Sequence, residues 1–254
     1  MAETRAATPD YGNWVSRRLI VGPGIVGAVA LVASLAWWPL SIVAAVLFAT
    51  AAYFAWARRQ FSASGGDVQA RIRALLLERI EWDGTGRALD VGCGNGALAV
   101  ELAREHPAAA VDGIDYWGAN WEYSRDACAE NARCAGVEAR TAFQKASASS
   151  LPYPDATFDL VVSNLVFHEV ADAHDKREVI KEALRVLKPG GSFAFQDLFL
   201  EKRLYGEVRT LLDTIGSWGV HRVAFFDSSA EPSIPRGLRL PFMVGRIGIL
   251  YGRK

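Results

Sequence analysis

The sequence predicts an α/β domain with a mostly parallel sheet, preceded by two apolar helices. Three observations carry that prediction. From residue 68 onward, short apolar runs alternate with stretches of helical periodicity. A glycine-rich loop joins the first of those runs to a helix. No charged residue stands between Leu19 and Ala57. Alternating strands and helices imply right-handed crossovers, and therefore parallel strands with helices packed on the sheet.

The uncharged run comes first in the chain. Arg17 and Arg18 precede it, and Arg58 and Arg59 follow it. A bilayer core takes roughly 20 helical residues per crossing, so the run has room for two. Trp37-Trp38-Pro39 falls at its middle, and proline is tolerated at a helix start but not in its interior. The reading is one helix over residues 19–38 and a second over 40–57, a membrane hairpin within a segment covering 1–60. Basic flanks stay cytoplasmic. Both chain termini, and the domain over 61–254, are then expected on the cytoplasmic side of a two-helix membrane protein. Gly24, Ala28, Ala30 and Ser34 are small residues at helical spacing, which would let the helices approach closely. Two other readings stay open. One is a signal peptide, although the run is far longer than a signal sequence's apolar core. The other is a monotopic hairpin that enters without crossing. The domain after residue 60 is expected to fold and bind its ligand without the hairpin.

Residues 62–66, Ser-Ala-Ser-Gly-Gly, read as a flexible linker. Val68, Ile72, Leu75, Leu76 and Ile80 form a helical stripe, with Asp67 as its N-cap. Strands are expected at 87–91, 109–114, 158–163 and 192–197, with two more at 222–226 and 245–251. Helices are expected at 97–105, 121–135 and 177–187. Zero formal net charge and no basic stripe argue against a nucleic-acid partner. The three cysteines, Cys93, Cys128 and Cys134, make no CxxC pair. They fit a reducing compartment and exclude a zinc site of the usual spacing.

The chemistry centres on Leu89-Asp90-Val91-Gly92-Cys93-Gly94-Asn95-Gly96, which ends a strand and opens a helix. Glycines there let the backbone turn sharply and approach a ligand. Asp115 ends the next strand, where a carboxylate can accept hydrogen bonds from both hydroxyls of a ribose. The loop spacing is GxGxG after Asp90, which separates it from the GxGxxG fingerprint of dinucleotide dehydrogenases.

On these residues the chain resembles the class I S-adenosylmethionine-dependent methyltransferases. Leu89 to Gly96 looks like their first motif. Leu151-Pro152-Tyr153-Pro154-Asp155-Ala156-Thr157-Phe158-Asp159 looks like the approach to their fourth strand. Val186-Leu187-Lys188-Pro189-Gly190-Gly191 looks like the turn before their fifth. The resemblance covers about residues 68–254. It implies a Rossmann-like fold with a mostly parallel seven-stranded sheet, and S-adenosyl-L-methionine as cofactor. It implies that Asp90, Gly92, Cys93 and Gly94 hold the methionine end, that Asp115 holds the ribose, and that Tyr116 lies beside the adenine. Family members carry an Asp-Ala pair before Leu-Pro, with the Asp near the adenine amino group. Ser147 and Ala148 stand there in this chain, so that contact falls to a serine hydroxyl or to backbone. Asn164 ends the fourth strand, where family members touch the methionine portion.

His168 lies on the loop after that strand, at the carboxyl ends where ligands of open α/β sheets bind. It is the candidate catalytic residue, as a general base or as a group that orients the acceptor. The bland alternative is a loop histidine satisfied by a backbone carbonyl. Asp197 ends the fifth strand and either faces the same pocket or caps a turn. Trp117 and Trp121 flank the cofactor region, as core packing or as a substrate-facing pair. The expected function is methyl transfer from S-adenosyl-L-methionine to a small acceptor, hydrophobic or membrane-associated because the hairpin holds the site near a bilayer. The alternative is a membrane-anchored protein that binds S-adenosylmethionine without transferring its methyl group, as an assembly or regulatory partner.

Overall fold

The computed structural model describes residues 8–118 and 123–254. Trp121 lies outside the described residues. Contacts divide the chain into two compact units, Gly12–Arg71 and a second unit of Met1–Tyr11 together with Ile72–Lys254. The first unit runs past residue 60 because the Ser/Gly stretch folds back rather than trailing as a free linker. The amides of Gly66 and Asp67 donate to the carbonyls of Arg59 and Ser62, both at 3.1 Å.

The first unit is built on α1 (Arg18–Ala33) and α2 (Leu40–Phe61). Helix α1 ends sooner than its composition suggests. The Ser34 hydroxyl bonds back to the Leu31 carbonyl at 2.6 Å, and bulky Trp38 before Pro39 disfavours continued helix. At 16 residues α1 is about 24 Å long, and the 22-residue α2 about 33 Å. Among the described residues, α2 alone is long and apolar enough to cross a bilayer by length and composition. The close approach of the two helices falls at Gly27, where a Cβ would meet Phe48 and Leu47 at 3.2–3.3 Å; Gly24 faces open space. At the open end, the Asn13 side chain donates to the Arg58 carbonyl at 2.9 Å. Arg58 donates to the Val15 carbonyl, and Trp14 packs on Phe61 with ring centroids 5.5 Å apart.

Helix α3 (Val68–Leu77) carries the chain into the second unit. Asp67 precedes it in a left-handed conformation, φ 51°; its carbonyl accepts from Arg71 at 3.2 Å. There follow β1 (Gly86–Val91), α4 (Ala97–Glu105), β2 (Ala109–Asp115), α5 (Arg125–Cys134), β3 (Thr141–Lys145) and β4 (Phe158–Asn164). The chain ends with α6 (Lys176–Arg185), β5 (Leu187–Asp197), α7 (Lys202–Tyr205), α8 (Val208–Ser217), β6 (Arg222–Phe226) and β7 (Gly248–Arg253). Helix α5 begins later than the apolar pattern suggests, because Ser124 caps it by accepting from Ala127 N at 3.1 Å. The turn at 188–191 is drawn into β5, where Lys188 grips the Asp159 carboxylate of β4 at 2.8 and 2.9 Å.

The seven strands run in the order β3-β2-β1-β4-β5-β7-β6. All pairings are parallel except those of β7, which is antiparallel to β5 and β6. Strand alternation splits the core between the faces. Leu89, Val91, Phe193 and Phe195 pack with Val179, Ile180, Leu211 and Ile215 of α6 and α8. Ala88, Leu160 and Ala194 pack with α4 and with Leu75 and Leu76 of α3. Strand order reverses between β1 and β4, so their carboxyl ends open the crevice in which such sheets bind ligands.

Candidate functional site

The glycine loop sits at that crevice, and its conformation needs glycine. Gly92, Gly94 and Gly96 have φ of 76°, 57° and 81°. A Cβ on Gly92 would overlap the methyls of Val166, from the loop after β4.

The loop's amides are engaged inside the protein. Gly92 N and Cys93 N donate to the Ile114 carbonyl at 2.7 and 2.9 Å. Gly94 N donates to Asp115 Oδ2 at 2.9 Å. Trp117 N donates to Asp115 Oδ1 at 2.7 Å, and the Trp117 indole closes the arrangement by donating to the Gly94 carbonyl at 2.8 Å. The loop therefore serves close approach rather than presenting those three amides to an anion. The Cys93 thiol is buried and is held well above the ordinary thiol range by burial and by its contact with Cys128. Cys93 borders the site with its backbone, not as a reactive thiol.

What the crevice offers is acceptors. Asp90 is almost completely buried and accepts from Ala99 N, in the first turn of α4, at 3.1 Å. Burial pushes its carboxyl up to about 7, against the pull of that hydrogen bond. Asp115 is also raised, by burial first, with the Trp117 and Gly94 amides opposing. Asn164 Oδ1 is buried with no hydrogen-bond partner, a costly state that a donor on a ligand would relieve. Two carboxyls and an unpartnered carbonyl oxygen gathered toward the carboxyl ends of β1, β2 and β4 suit a ligand bearing ammonium, hydroxyl and sulfonium groups.

At the adenine end expected from the sequence, Tyr116 is exposed, with Lys145 Nζ 5.1 Å from its ring centre. Ala148 is buried. Ser147 does not stand alone. Its hydroxyl lies 3.0 Å from Asp172 Oδ2 and 2.8 Å from Ser149 Oγ, and Ser149 donates to Asp172 at 2.7 Å. These two hydroxyls hold the Asp172 carboxyl below its ordinary value. An acid from the loop after β4 thus stands beside the position where the family pattern has one in the chain itself. Its partner is 25 residues away, so no local pattern marks it.

One strand over, His168 and Asp197 meet. His168 Nδ1 lies 2.9 Å from Asp197 Oδ1, at the carboxyl ends of β4 and β5. Asp197 is fully buried and also accepts from Leu198 N at 2.7 Å and from the Tyr205 hydroxyl at 3.1 Å. Burial pulls the His168 pKa down, but the Asp197 carboxylate outweighs it and the group is pushed up to about 10. With Nδ1–H committed to Asp197, Nε2 is the atom left for other contacts, 3.6 Å from Glu169 Oε1. Tyr205 carried no sign of this role in the sequence.

Residues 89–195 match the methyltransferase domain family. The 27-O-demethylrifamycin SV methyltransferase of Amycolatopsis mediterranei is 40% identical over 139 residues, 55% of this chain and 48% of that protein. A ubiquinone/menaquinone biosynthesis C-methyltransferase of Geobacter sulfurreducens is 34% identical over 144 residues, 54% of each. The chain spans about half the length of the curated relatives it matches. The crystal structure of the (4+2)-cyclase SpnF is similar with a TM-score of 0.53 at 26% identity, covering 72% of this chain and 80% of that one. Residues 89–195 thus resemble a methyltransferase domain on a Rossmann-like fold, and the likeness supports S-adenosyl-L-methionine as cofactor.

Proposed function

We propose that the chain is a methyltransferase acting on a small lipophilic acceptor, with the hairpin of α1 and α2 seated in a membrane and the α/β unit on the cytoplasmic side. The observation that carries the reading is the His168–Asp197 pair, one strand from a crevice rich in hydrogen-bond acceptors. S-adenosyl-L-methionine, when bound, supplies a methyl group activated by its positive sulfur. Asp115 would hold the ribose with the lone pairs that Gly94 and Trp117 leave free. Asn164 Oδ1 would take an ammonium hydrogen, and Asp172 with Ser147 would face the adenine edge. The protein's remaining task is to align the acceptor and exclude water.

His168 sets the kind of acceptor. With its pKa near 10 it is cationic at neutral pH and presents Nε2–H as a donor. That suits an acceptor which is already acidic, such as a quinol or enol, whose oxygen anion the imidazolium would hold in place. The hydrophobic class is supported by the apolar surface of α1 and α2 and by the likeness to a quinone-pathway C-methyltransferase. The hairpin would raise the local concentration of a bilayer-dissolved acceptor. The likeness to a cyclase supports a second reading, in which the same cofactor site serves without methyl transfer.

The test uses the full chain, S-adenosylmethionine and a native lipid extract, with mass spectrometry for a product one methyl group heavier. Binding without a methylated product favours the second reading. Asp115→Ala should weaken cofactor binding by tenfold or more, since bonds to a charged group contribute about 1.5–3 kcal/mol; equal affinities in calorimetry would refute the site. His168→Gln should leave that affinity intact and lower turnover by about 10²-fold or more.

A further inference from the structure

The glycine loop is tied to a second, distant part of the chain. Asn131, on α5, is buried and makes three hydrogen bonds. Its Nδ2 donates to the Asn95 carbonyl at 2.9 Å and to the Asp10 carbonyl at 2.8 Å. Its Oδ1 accepts from Asp10 N at 2.8 Å. Asn95 is the loop residue between Gly94 and Gly96, and its own Oδ1 accepts from Ser124 N, the N-cap of α5, at 3.0 Å. Both polar ends of Asn95 are therefore set by α5, and α5 is set in turn by residues 8–11. Tyr11 holds that short segment down. Its ring packs on the face built by α3 and α4, with the Arg73 guanidinium 5.7 Å from the ring centre.

We infer that Asn131 is a positioning residue for the cofactor loop, and that it couples the loop's geometry to the docking of residues 8–11. The inference rests on the cofactor reading of the glycine loop. Two paired amide bonds between Asn131 and the Asp10 backbone fix the rotamer that aims Nδ2 at Asn95. When the segment leaves, Asn131 keeps one bond of three, and its hold on the loop is free to open. Residue 11 runs directly into Gly12, where the apolar unit starts. Coupling of this kind is reciprocal: cofactor bound at the loop must favour the docked segment by the same factor.

The experiment compares wild type, Tyr11→Ala and Asn131→Leu in the full chain. Amide hydrogen exchange is read at Asp10, Gly94 and Ser124, and S-adenosylhomocysteine affinity by calorimetry. Tyr11 packs on the face of α3 and α4, so a role confined to the segment would alter exchange at Asp10 and leave Ser124 unchanged. The expected result is faster exchange at Gly94 and Ser124 as well in both variants, an affinity loss of about threefold to tenfold, and slower exchange at Asp10 in wild type when S-adenosylhomocysteine is added. Loop exchange equal to wild type in Asn131→Leu would overturn the inference, whatever the fate of the segment. If wild type binds no S-adenosylhomocysteine, the cofactor reading fails, while exchange in the ligand-free protein still decides whether segment and loop are coupled.

Discussion

The two units place their large apolar side chains in opposite ways. In the α/β unit, Phe158, Phe167, Phe193, Phe195 and Phe199 are fully buried. In Gly12–Arg71, Leu35 is 90% exposed, Trp38 70%, Val32 68% and Ile25 60%. One unit hides its apolar surface from water with its own sheet and helices. The other turns that surface outward and buries small residues such as Gly27 and Ala44 between its helices. Contiguous exposed apolar surface on a soluble protein marks an interaction site. This difference is what the proposed membrane seat of the first unit requires, lipid for one unit and water for the other.

The sharpest way to break this comparison is to remove apolar volume from each unit. Phe195→Ala empties a position where Phe167 and Phe193 both stack, with ring centroids 5.2 Å away in each case. The α/β unit should lose about 3–5 kcal/mol of stability, read by denaturant unfolding. Val32→Ala on the exposed face of α1 should leave unfolding within about 0.5 kcal/mol of wild type. A large loss there would mean that protein, not lipid, covers this face.

A charge tests the second solvent directly. Val46, in the first half of α2, is 60% exposed. Lysine there should cost about 2.5–3.5 kcal/mol of membrane insertion if α2 crosses a bilayer, a loss of roughly a hundredfold in the inserted fraction. At a water-facing position the same change should be close to neutral. Fractionation of Val46→Lys into membrane and soluble pools separates the two outcomes. An unchanged membrane pool would exclude a spanning α2 and leave the hairpin at a surface.

How much could be read in advance follows the same division. Strand β1, the glycine loop and α4 stand where the sequence puts them, because each is marked locally: apolar alternation, glycines, then a helical stripe. Strand β3 escaped because it is an edge strand of mixed character, Thr-Ala-Phe-Gln-Lys, paired on one side only. Helix α8 was missed although its stripe of Leu211 and Ile215 is buried; it is short, and its Gly216 and Ser217 are weak helix formers. The pairings within the site are less legible for another reason, although Asp197 reads as an acid either facing the His168 pocket or capping a turn. Asp197 with His168, Asp172 with Ser147, and Asn131 with Asp10 lie 29, 25 and 121 residues apart. Strand order creates such pairs, and periodicity does not. Residues 8–11 dock through contacts far along the chain, which no local pattern marks.

The finest distinction between the units is their response to pH, and its sign can be worked out in advance. Among the groups of the α/β unit with raised pKa values, two carry the largest steps in this range: Asp90, up to about 7, and His168, up to about 10. For Asp90 the native state binds its proton more tightly than the unfolded chain, whose carboxyls titrate near 3.9. The stability it contributes is full below about pH 4 and is lost as pH rises to about 7. For His168 the unfolded reference is about 6.5, so its contribution is full below that and is lost as pH rises to about 10. Each proton sets a slope of at most about 1.4 kcal/mol per pH unit. Asp159, Asp175 and Glu182 are shifted downward and act with the opposite sign, below about pH 4. Stability of the α/β unit should therefore fall in two successive steps between about pH 4 and 10. Asp90→Asn keeps an acceptor for Ala99 N and removes the first step; His168→Gln removes the second. Denaturant midpoints across that range measure both. If Asp90→Asn leaves the fall between pH 4 and 7 as steep as in wild type, Asp90 is not the group that titrates there.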